Sequence, residues 1–321
     1  MKYFFIMNPG SRGGKSIKSF NKIFKFLDEN SVDYEFKYTH SLLDAYKFSA
    51  NANKEAREII IAVGGDGTIN NVLNGFFDKA GRRISRAKMG IIYTGTSPDF
   101  CKSYSIPIQL GDALKVLLSG RSKKIYVGRL TYADENSLQM EGEGIDQLAD
   151  LSVRYFGCCT NIGLGASLAR RANGGIRKYL GDFPGTFISL MITISKYKAN
   201  DFTIISDGKE KKISKLYNIS VGRTKYIASG IKVNNCLSED DRRFYSLIVR
   251  KITLLNFPGI LKKIYSGKEI KSGETLVLDY INQMEIAGNY QNPEIEMDGD
   301  PVGYLPCRIE IAEDQLDLIV S

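Results

Sequence analysis

The segment Ile59-Ile60-Ile61-Ala62-Val63-Gly64-Gly65-Asp66-Gly67-Thr68 limits the fold more than any other stretch of the chain. Five apolar residues in a row, four of them β-branched, mark a strand buried on both faces, as in a parallel sheet. Glycines follow at once, and Ile69, Val72, Leu73, Phe76 and Phe77 then recur at helical spacing. A strand that turns through glycines into a helix presents backbone N–H groups and the positive end of the helix dipole beyond the strand's carboxyl end. Open α/β sheets take their ligands there. Glycine also lets the backbone approach a phosphate closely. Asp66 inside such a loop repels an anion unless a cation bridges the two, which points to Mg²⁺ and its preference for oxygen ligands.

The same alternation runs through the first ~120 residues, as expected for a parallel sheet with helices on its faces. Strands are expected at Tyr3–Met7, Tyr34–Tyr38 and Met89–Tyr93, and helices over Lys15–Glu29, Ser41–Asn51 (capped by Ser41) and Leu110–Leu118. After about Lys123 strands dominate: Ile125–Tyr132, Val153–Thr160, Asp201–Ser206, Lys215–Val221, Phe244–Arg250, Thr275–Asp279 and Glu294–Met297. Helices are expected over Gly185–Lys198 and Leu254–Ser266, and a closing strand pair at Arg308–Ala312 and Leu316–Val320. The fold class is therefore an α/β N-terminal domain followed by a mainly antiparallel β domain.

Two further loops end strands of the first domain. Asn8-Pro9-Gly10-Ser11-Arg12-Gly13-Gly14-Lys15-Ser16 imitates a P-loop but carries Pro9 where that motif needs glycine. Gly95-Thr96-Ser97-Pro98-Asp99-Phe100 follows the strand ending at Tyr93. Three strand-end loops can thus converge on one crevice.

Composition removes other classes. The single histidine, His40, and five scattered cysteines without a CxxC pair argue against a zinc site, a disulfide framework and a histidine-based triad. They fit a reducing, cytoplasmic location. The run at Met1–Met7 is too short for a signal peptide, and no apolar run is long enough to span a bilayer. A net charge of +8, from 44 basic and 36 acidic residues, favours an anionic partner. The basic residues are dispersed and do not interleave with aromatics, so no nucleic-acid partner is expected. Leu254–Tyr265, with Lys262-Lys263, and a basic loop at Lys209, Lys211 and Lys212 suit docking on a peripheral membrane surface. The oligomeric state is open, a homodimer included.

Taken in order, Asn8-Pro9-Gly10-Ser11…Gly14-Lys15, Thr39-His40…Asp44-Ala45, Gly64–Thr68 with Asn70 and Val72…Asn74-Gly75, Gly95-Thr96…Asp99-Phe100, Asn161-Ile162-Gly163-Leu164-Gly165 and Met297-Asp298-Gly299-Asp300-Pro301 span almost the whole chain. This ordered set resembles the diacylglycerol kinase catalytic-domain family, which includes bacterial lipid kinases and sphingosine kinases. The resemblance implies an ATP-binding domain over residues 1–123 and 306–321 and a β-sandwich over 124–305, with the active site between them. It implies that Asn8, Ser11, Thr39, Gly64, Gly65, Asp66, Gly67, Thr68, Gly95, Thr96 and Ser97 contact ATP. Asp66, Asp99, Asp240 and Asp241 are the candidate Mg²⁺ ligands. Asp298, on the turn after Glu294–Met297, is the expected general base, with Asp300 beside it in place of the family's usual Glu. The implied reaction is transfer of the ATP γ-phosphoryl group to a hydroxyl of diacylglycerol or a related lipid. Departures at Ser97-Pro98, Asn71 and Asp300 motivate a second reading, a catalytically weak nucleotide-binding or membrane-associated regulator. A third is another kinase with the same glycine loop, such as an NAD kinase.

Overall fold

The computed structural model describes residues 2–134, 151–171, 197–228, 231–253, 255–256, 259–260, 262–263, 266–288 and 294–321. The first half follows the alternation in the sequence: β1 (Tyr3–Met7), α1 (Ile17–Glu29), β2 (Tyr34–Tyr38), α2 (Leu42–Lys54), β3 (Ile59–Gly64), α3 (Asp66–Asn74), β4 (Lys88–Tyr93), α4 (Asp99–Ser103), α5 (Leu110–Ser119) and β5 (Ser122–Ile125). Ser41 caps α2 in a reciprocal capping box, its hydroxyl accepting from the Asp44 N–H while the Asp44 carboxylate accepts from Ser41 N–H.

The second half holds β6 (Gly128–Ala133), β7 (Ser152–Phe156), β8 (Cys159–Gly163), α6 (Leu164–Arg171), β9 (Asn200–Ser206), β10 (Lys209–Gly222), β11 (Tyr226–Ala228) and β12 (Ile231–Lys232). It continues with β13 (Phe244–Arg250), β14 (Leu276–Ile281), β15 (Met284–Ile286), β16 (Glu294–Met297), β17 (Asp300–Ile311) and β18 (Leu316–Ile319).

The first sheet has the order β2-β1-β3-β4-β18-β5. Its strands are parallel except for β5, which lies antiparallel to β18. The connections from β1 to β2 and from β2 to β3 run in opposite directions, so the order switches between β1 and β3. Ligand sites of open α/β sheets form at such a switch. Phe20, Ile23 and Leu27 of α1 pack one face with Phe5 and Ile61. Ala45 of α2, Val72 of α3 and Phe76 just beyond α3 pack the other with Ile6 and Ala62.

The second sheet is antiparallel throughout. Its path β10-β8-β16-β17-β15-β9 returns to β10 through the β9–β10 hairpin, so it closes around a core that includes Phe156, Ile162, Ile219, Ile295 and Leu305. This closure gives the sandwich-like body expected from the run of short strands.

Four expectations change. Ile125–Tyr132 is not one strand: the chain leaves the first sheet after Ile125 and enters the second at Gly128. The expected terminal strand pair is likewise divided, because β17 stays in the second sheet through Ile311 while β18 inserts between β4 and β5. The two crossings lie side by side, with Ala312 N–H donating to the Val127 carbonyl at 2.9 Å. Val153–Thr160 breaks at Gly157-Cys158, between β7 and β8. Lys209, Lys211 and Lys212 sit on strand β10, not in a loop; the hairpin tip is Asp207-Gly208, both at positive φ. The helix expected over Gly185–Lys198 lies outside the described residues up to 196, and that over Leu254–Ser266 falls partly outside them. Among the described residues no helix is long and apolar enough to cross a membrane.

The insertion of β18 makes the last residues part of the first core. Leu318→Ala, at a fully buried position, is expected to destabilise the protein by about 2–5 kcal/mol in urea unfolding. Leu255→Ala, at a side chain 95% exposed, is expected to leave the midpoint unchanged.

Candidate functional site

The three strand-end loops meet at the switch point. Asn8, just beyond β1, donates from Nδ2 to the Thr68 hydroxyl at 2.8 Å, and its Oδ1 accepts from Gly10 N–H at 2.9 Å. Ser11 donates to the Thr94 carbonyl at 2.9 Å, which links the first loop to the third. Gly65 and Gly95 touch backbone to backbone: a Cβ on Gly95 would lie 2.6 Å from the Gly65 Cα. No other residue fits that approach. Thr39 is buried at the end of β2, its N–H donating to the Met7 carbonyl at 2.9 Å. Thr96 is exposed, and Ser97 is half-buried with its hydroxyl 3.4 Å from Asp99. The start of α3 carries no side-chain cap, leaving its first-turn N–H groups to face the crevice.

Carboxylates gather around this loop. Asp66 accepts long bonds from Tyr93 OH and Phe100 N–H, both at 3.4 Å. Burial, followed by the neighbouring charge of Asp99, pushes its carboxyl up to about 8. Asp300 reaches the same loop from the second domain: a Cβ on Gly67 would lie 2.6 Å from Asp300 Oδ2. Burial, followed by the charge of Asp298, raises the Asp300 carboxyl, and Arg154 offsets part of this.

Asp298 is placed differently from the sequence expectation. It does not stand open in the cleft. Its Oδ1 accepts from Cys158 N–H at 2.9 Å and Cys159 N–H at 3.1 Å, and its Oδ2 from Gly157 N–H at 2.8 Å and Asn70 Nδ2 at 2.9 Å. Four donors occupy a carboxylate that has about four acceptor sites. The strand expected at Val153–Thr160 breaks at Gly157-Cys158 because these N–H groups turn to Asp298 instead of pairing in the sheet. Asp298 and Gly299, both at positive φ, form the two-residue hairpin between β16 and β17, as Asp-Gly favours.

The sequence motifs include Asn70, Asn74 and Asn161 but assign them no role, and Glu296 stands outside them; these groups hold this turn. Asn70 and Asn74 lie one helical turn apart on α3 and both donate to the Tyr155 carbonyl, at 3.0 and 2.8 Å. Two asparagines at i and i+4 among apolar residues were the available signal. Glu296, 2% exposed, accepts from Gly299 N–H and, at 2.5 Å, from Asn161 Nδ2. Asn161 Oδ1 accepts from Ser220, whose hydroxyl accepts from Asn218; Asn218 Oδ1 accepts from Gly165 N–H at the start of α6. This explains Asn161 and Gly165 in the motif: they anchor a buried polar chain.

The metal candidates divide. Asp66 and Asp99 share the crevice. Asp241 is committed to Arg243, which donates from Nε at 3.0 Å and Nη2 at 2.8 Å, and Asp240 is exposed. Among the described residues no group of three or more His, Cys, Asp or Glu could hold a metal by itself. Asp66 and Asp99 nevertheless fit Mg²⁺, which takes one or two carboxylates and completes its shell with water and substrate phosphate.

Burial holds the proton of Glu296 up to about 8 in the folded chain, against 4.5 for an ordinary glutamate. The folded state therefore binds more protons than the unfolded one between those values, and stability falls as pH rises through that window. The melting temperature is expected to decline between pH 5 and 8, and Glu296→Gln to flatten the slope. An equal slope in the variant would assign it to other groups.

Residues 2–130 match the model of the diacylglycerol kinase catalytic domain. Residues 161–320 match that of the YegS C-terminal NAD kinase beta sandwich-like domain. The diacylglycerol kinase of Staphylococcus aureus (strains JH9 and Newman) is 25% identical over 283 residues, spanning 87% of this chain and 80% of that protein. A solved diacylglycerol kinase from Bacillus anthracis str. Sterne superposes with TM-score 0.68 at 19% identity, covering 100% of this chain and 97% of that one. A second solved chain from that organism gives 0.72 at 22% identity with the same coverage, so the fold is shared. With both models matched in order along one chain, this protein belongs to the diacylglycerol kinase catalytic-domain family.

Proposed function

We propose that the protein transfers the γ-phosphoryl group of Mg·ATP to a hydroxyl of diacylglycerol or a related lipid, in the crevice between its two sheets. The observation that carries this is the Asp300 carboxylate lying against Gly67: the turn of the second domain meets the phosphate loop of the first.

Phosphoryl transfer asks for alignment, charge neutralisation and a group that takes the hydroxyl proton. In this reading the N–H groups of Gly65 to Thr68 and the side chains of Asn8, Ser11 and Thr96 orient the phosphates. Asp66 and Asp99 would hold Mg²⁺, which would supply neutralisation of the charge on the phosphates. The proton goes to Asp300, the carboxylate of the turn that carries no donor network, and burial, by raising its affinity for protons, makes it a stronger base. Asp298 holds the turn in place. Asn218 and Ser220 lie deeper and act only through Asn161 and Glu296. A cytoplasmic protein that docks reversibly on a membrane surface fits a lipid acceptor.

The test is phosphate transfer from ATP to a panel of lipids in mixed micelles. Asp300→Asn is expected to lower turnover by at least ~10²-fold while nucleotide affinity and melting temperature hold. Asp298→Asn leaves donors facing a donor and is expected to destabilise the fold by about 1–3 kcal/mol as well as lowering turnover. Near-normal turnover in Asp300→Asn would remove its role. A wild type that binds Mg·ATP and phosphorylates no lipid would favour the regulatory reading, and turnover of NAD the NAD kinase reading.

A further inference from the structure

Asp298 accepts from four donors and Glu296 from two, whereas Asp300 meets the phosphate loop at Gly67, which has no side chain to steer it. The charges that bear on Asp300 are Asp298, two residues before it, and Arg154 of β7.

Two fastenings hold β7 beside the turn. Tyr155 N–H donates to Asn74 Oδ1 at 2.9 Å and the Tyr155 carbonyl accepts from Asn70 and Asn74, which ties the strand to α3. Gly157 N–H donates to Asp298 Oδ2 at 2.8 Å. Side chains alternate along a strand, so with Tyr155 stacked on Phe77, Arg154 points to the other face of β7. There it acts on the Tyr132 hydroxyl of β6, both by its charge and as a hydrogen-bond donor. The Tyr132 ring fills the space that a side chain on Gly303 would need, three residues after Asp300. Half-buried Arg154 is thus bracketed by contacts to both ends of the segment that carries Asp300.

We propose that Arg154 is a positioning residue for phosphoryl transfer, its guanidinium holding the Asp300 carboxylate at the phosphate loop in the orientation that takes the acceptor's proton. The proposal rests on the reading of Asp300 as the general base.

A guanidinium is a planar fork, so it fixes the direction of a carboxylate as well as supplying charge. Asp298 and Glu296 lie on the same hairpin as Asp300, and Asp66 stands one residue from Gly67; all three are acids, so the positive charge has to come from another element, which is β7. In the transfer the acceptor oxygen bonds to the γ-phosphorus, the bond from that phosphorus to the ADP oxygen breaks, and the hydroxyl proton passes to Asp300. The Asp300–Arg154 pair is neutral before this step and carries one positive charge after it. Positive charge therefore appears at the phosphate loop as the departing oxygen gains negative charge, with no group having to move. An arginine that served only to fasten Tyr132 would act on stability and not through Asp300.

The experiment measures transfer from ATP to lipid in mixed micelles with saturating Mg²⁺. It compares wild type, Arg154→Met, Arg154→Lys, Asp300→Asn and the double variant with Arg154→Met and Asp300→Asn, with a melting temperature for each. Arg154→Met is expected to lower kcat by at least roughly tenfold while KM for ATP and for lipid hold, the pattern of a contact that matters only in the transition state. Arg154→Lys keeps the charge and should recover part of that loss. In the Asp300→Asn background, Arg154→Met should cost no more than about a further twofold, because its route of action is already gone. An unchanged kcat in Arg154→Met overturns the proposal. So does a loss of full size in the Asp300→Asn background, or a Lys variant as slow as the Met variant. A lower melting temperature in Arg154→Met leaves the comparison valid, since a folding defect slows both backgrounds alike. A wild type that phosphorylates no lipid, or an Asp300→Asn variant as fast as wild type, overturns the reading of the base and this proposal with it.

Discussion

The carboxylate of Asp298 is the point on which the arrangement of the two sheets at the crevice depends. It receives N–H groups from Gly157, Cys158 and Cys159, which interrupt the chain between β7 and β8, and the amide of Asn70 on α3. One buried side chain thus ties a hairpin of the second sheet to a helix of the first. A buried charge without partners is costly, whereas one with a full set of donors is a strong and directional link. Everything that positions Asp300 follows from it. The turn adopts two positive-φ residues, β17 starts in a fixed direction, and the carboxylate two residues on arrives at Gly67.

The phosphate loop imposes the complementary constraint from the first sheet. β1, β3 and β4 are parallel neighbours, so the loops after them leave the same edge at the strand spacing. They can converge only if two of them approach at backbone distance, and the Gly65–Gly95 contact is that approach. Asn8 and Ser11 then lock the first loop to the other two through Thr68 and the Thr94 carbonyl. A side chain at position 67 would displace Asp300, so the glycines serve the contact with the second domain as much as that with a ligand.

Most elements of the first sheet were legible because each has one period and one environment. Ile59–Val63 reads as a buried strand and is one, and β1 and β2, like β13 and β16 of the second sheet, carry the bounds their patterns predict. What escaped is where one apolar run serves two sheets. Ile125–Tyr132 holds one glycine, Gly128, which a strand also tolerates, yet Tyr126-Val127 is the crossing, because hydropathy records burial and not which core does the burying. Glu296 escaped for a related reason. Alternation with Ile295 and Met297 reads as a solvent face, but α6 packs against β16 and covers that side. The motif residues gave the crevice, while the division of labour between Asp298 and Asp300 depends on hydrogen bonds between residues more than a hundred positions apart.

Those hydrogen bonds also explain why the crevice can hold so much negative charge. Asp66, Asp298, Asp300 and Glu296 are drawn together by the fold, and in each burial raises the affinity for protons. Asp298 is compensated by its donors and Glu296 by Asn161 and Gly299. Asp66 has only two long contacts, and the charge of Asp99 lies beside it. The electrostatic deficit is therefore concentrated at the phosphate loop rather than spread over the cluster. A polyanion alone would deepen it, and a cation alone would find few ligands. A divalent cation arriving with its phosphates satisfies both conditions at once, so the loop is chemically complementary to the pair rather than to either component.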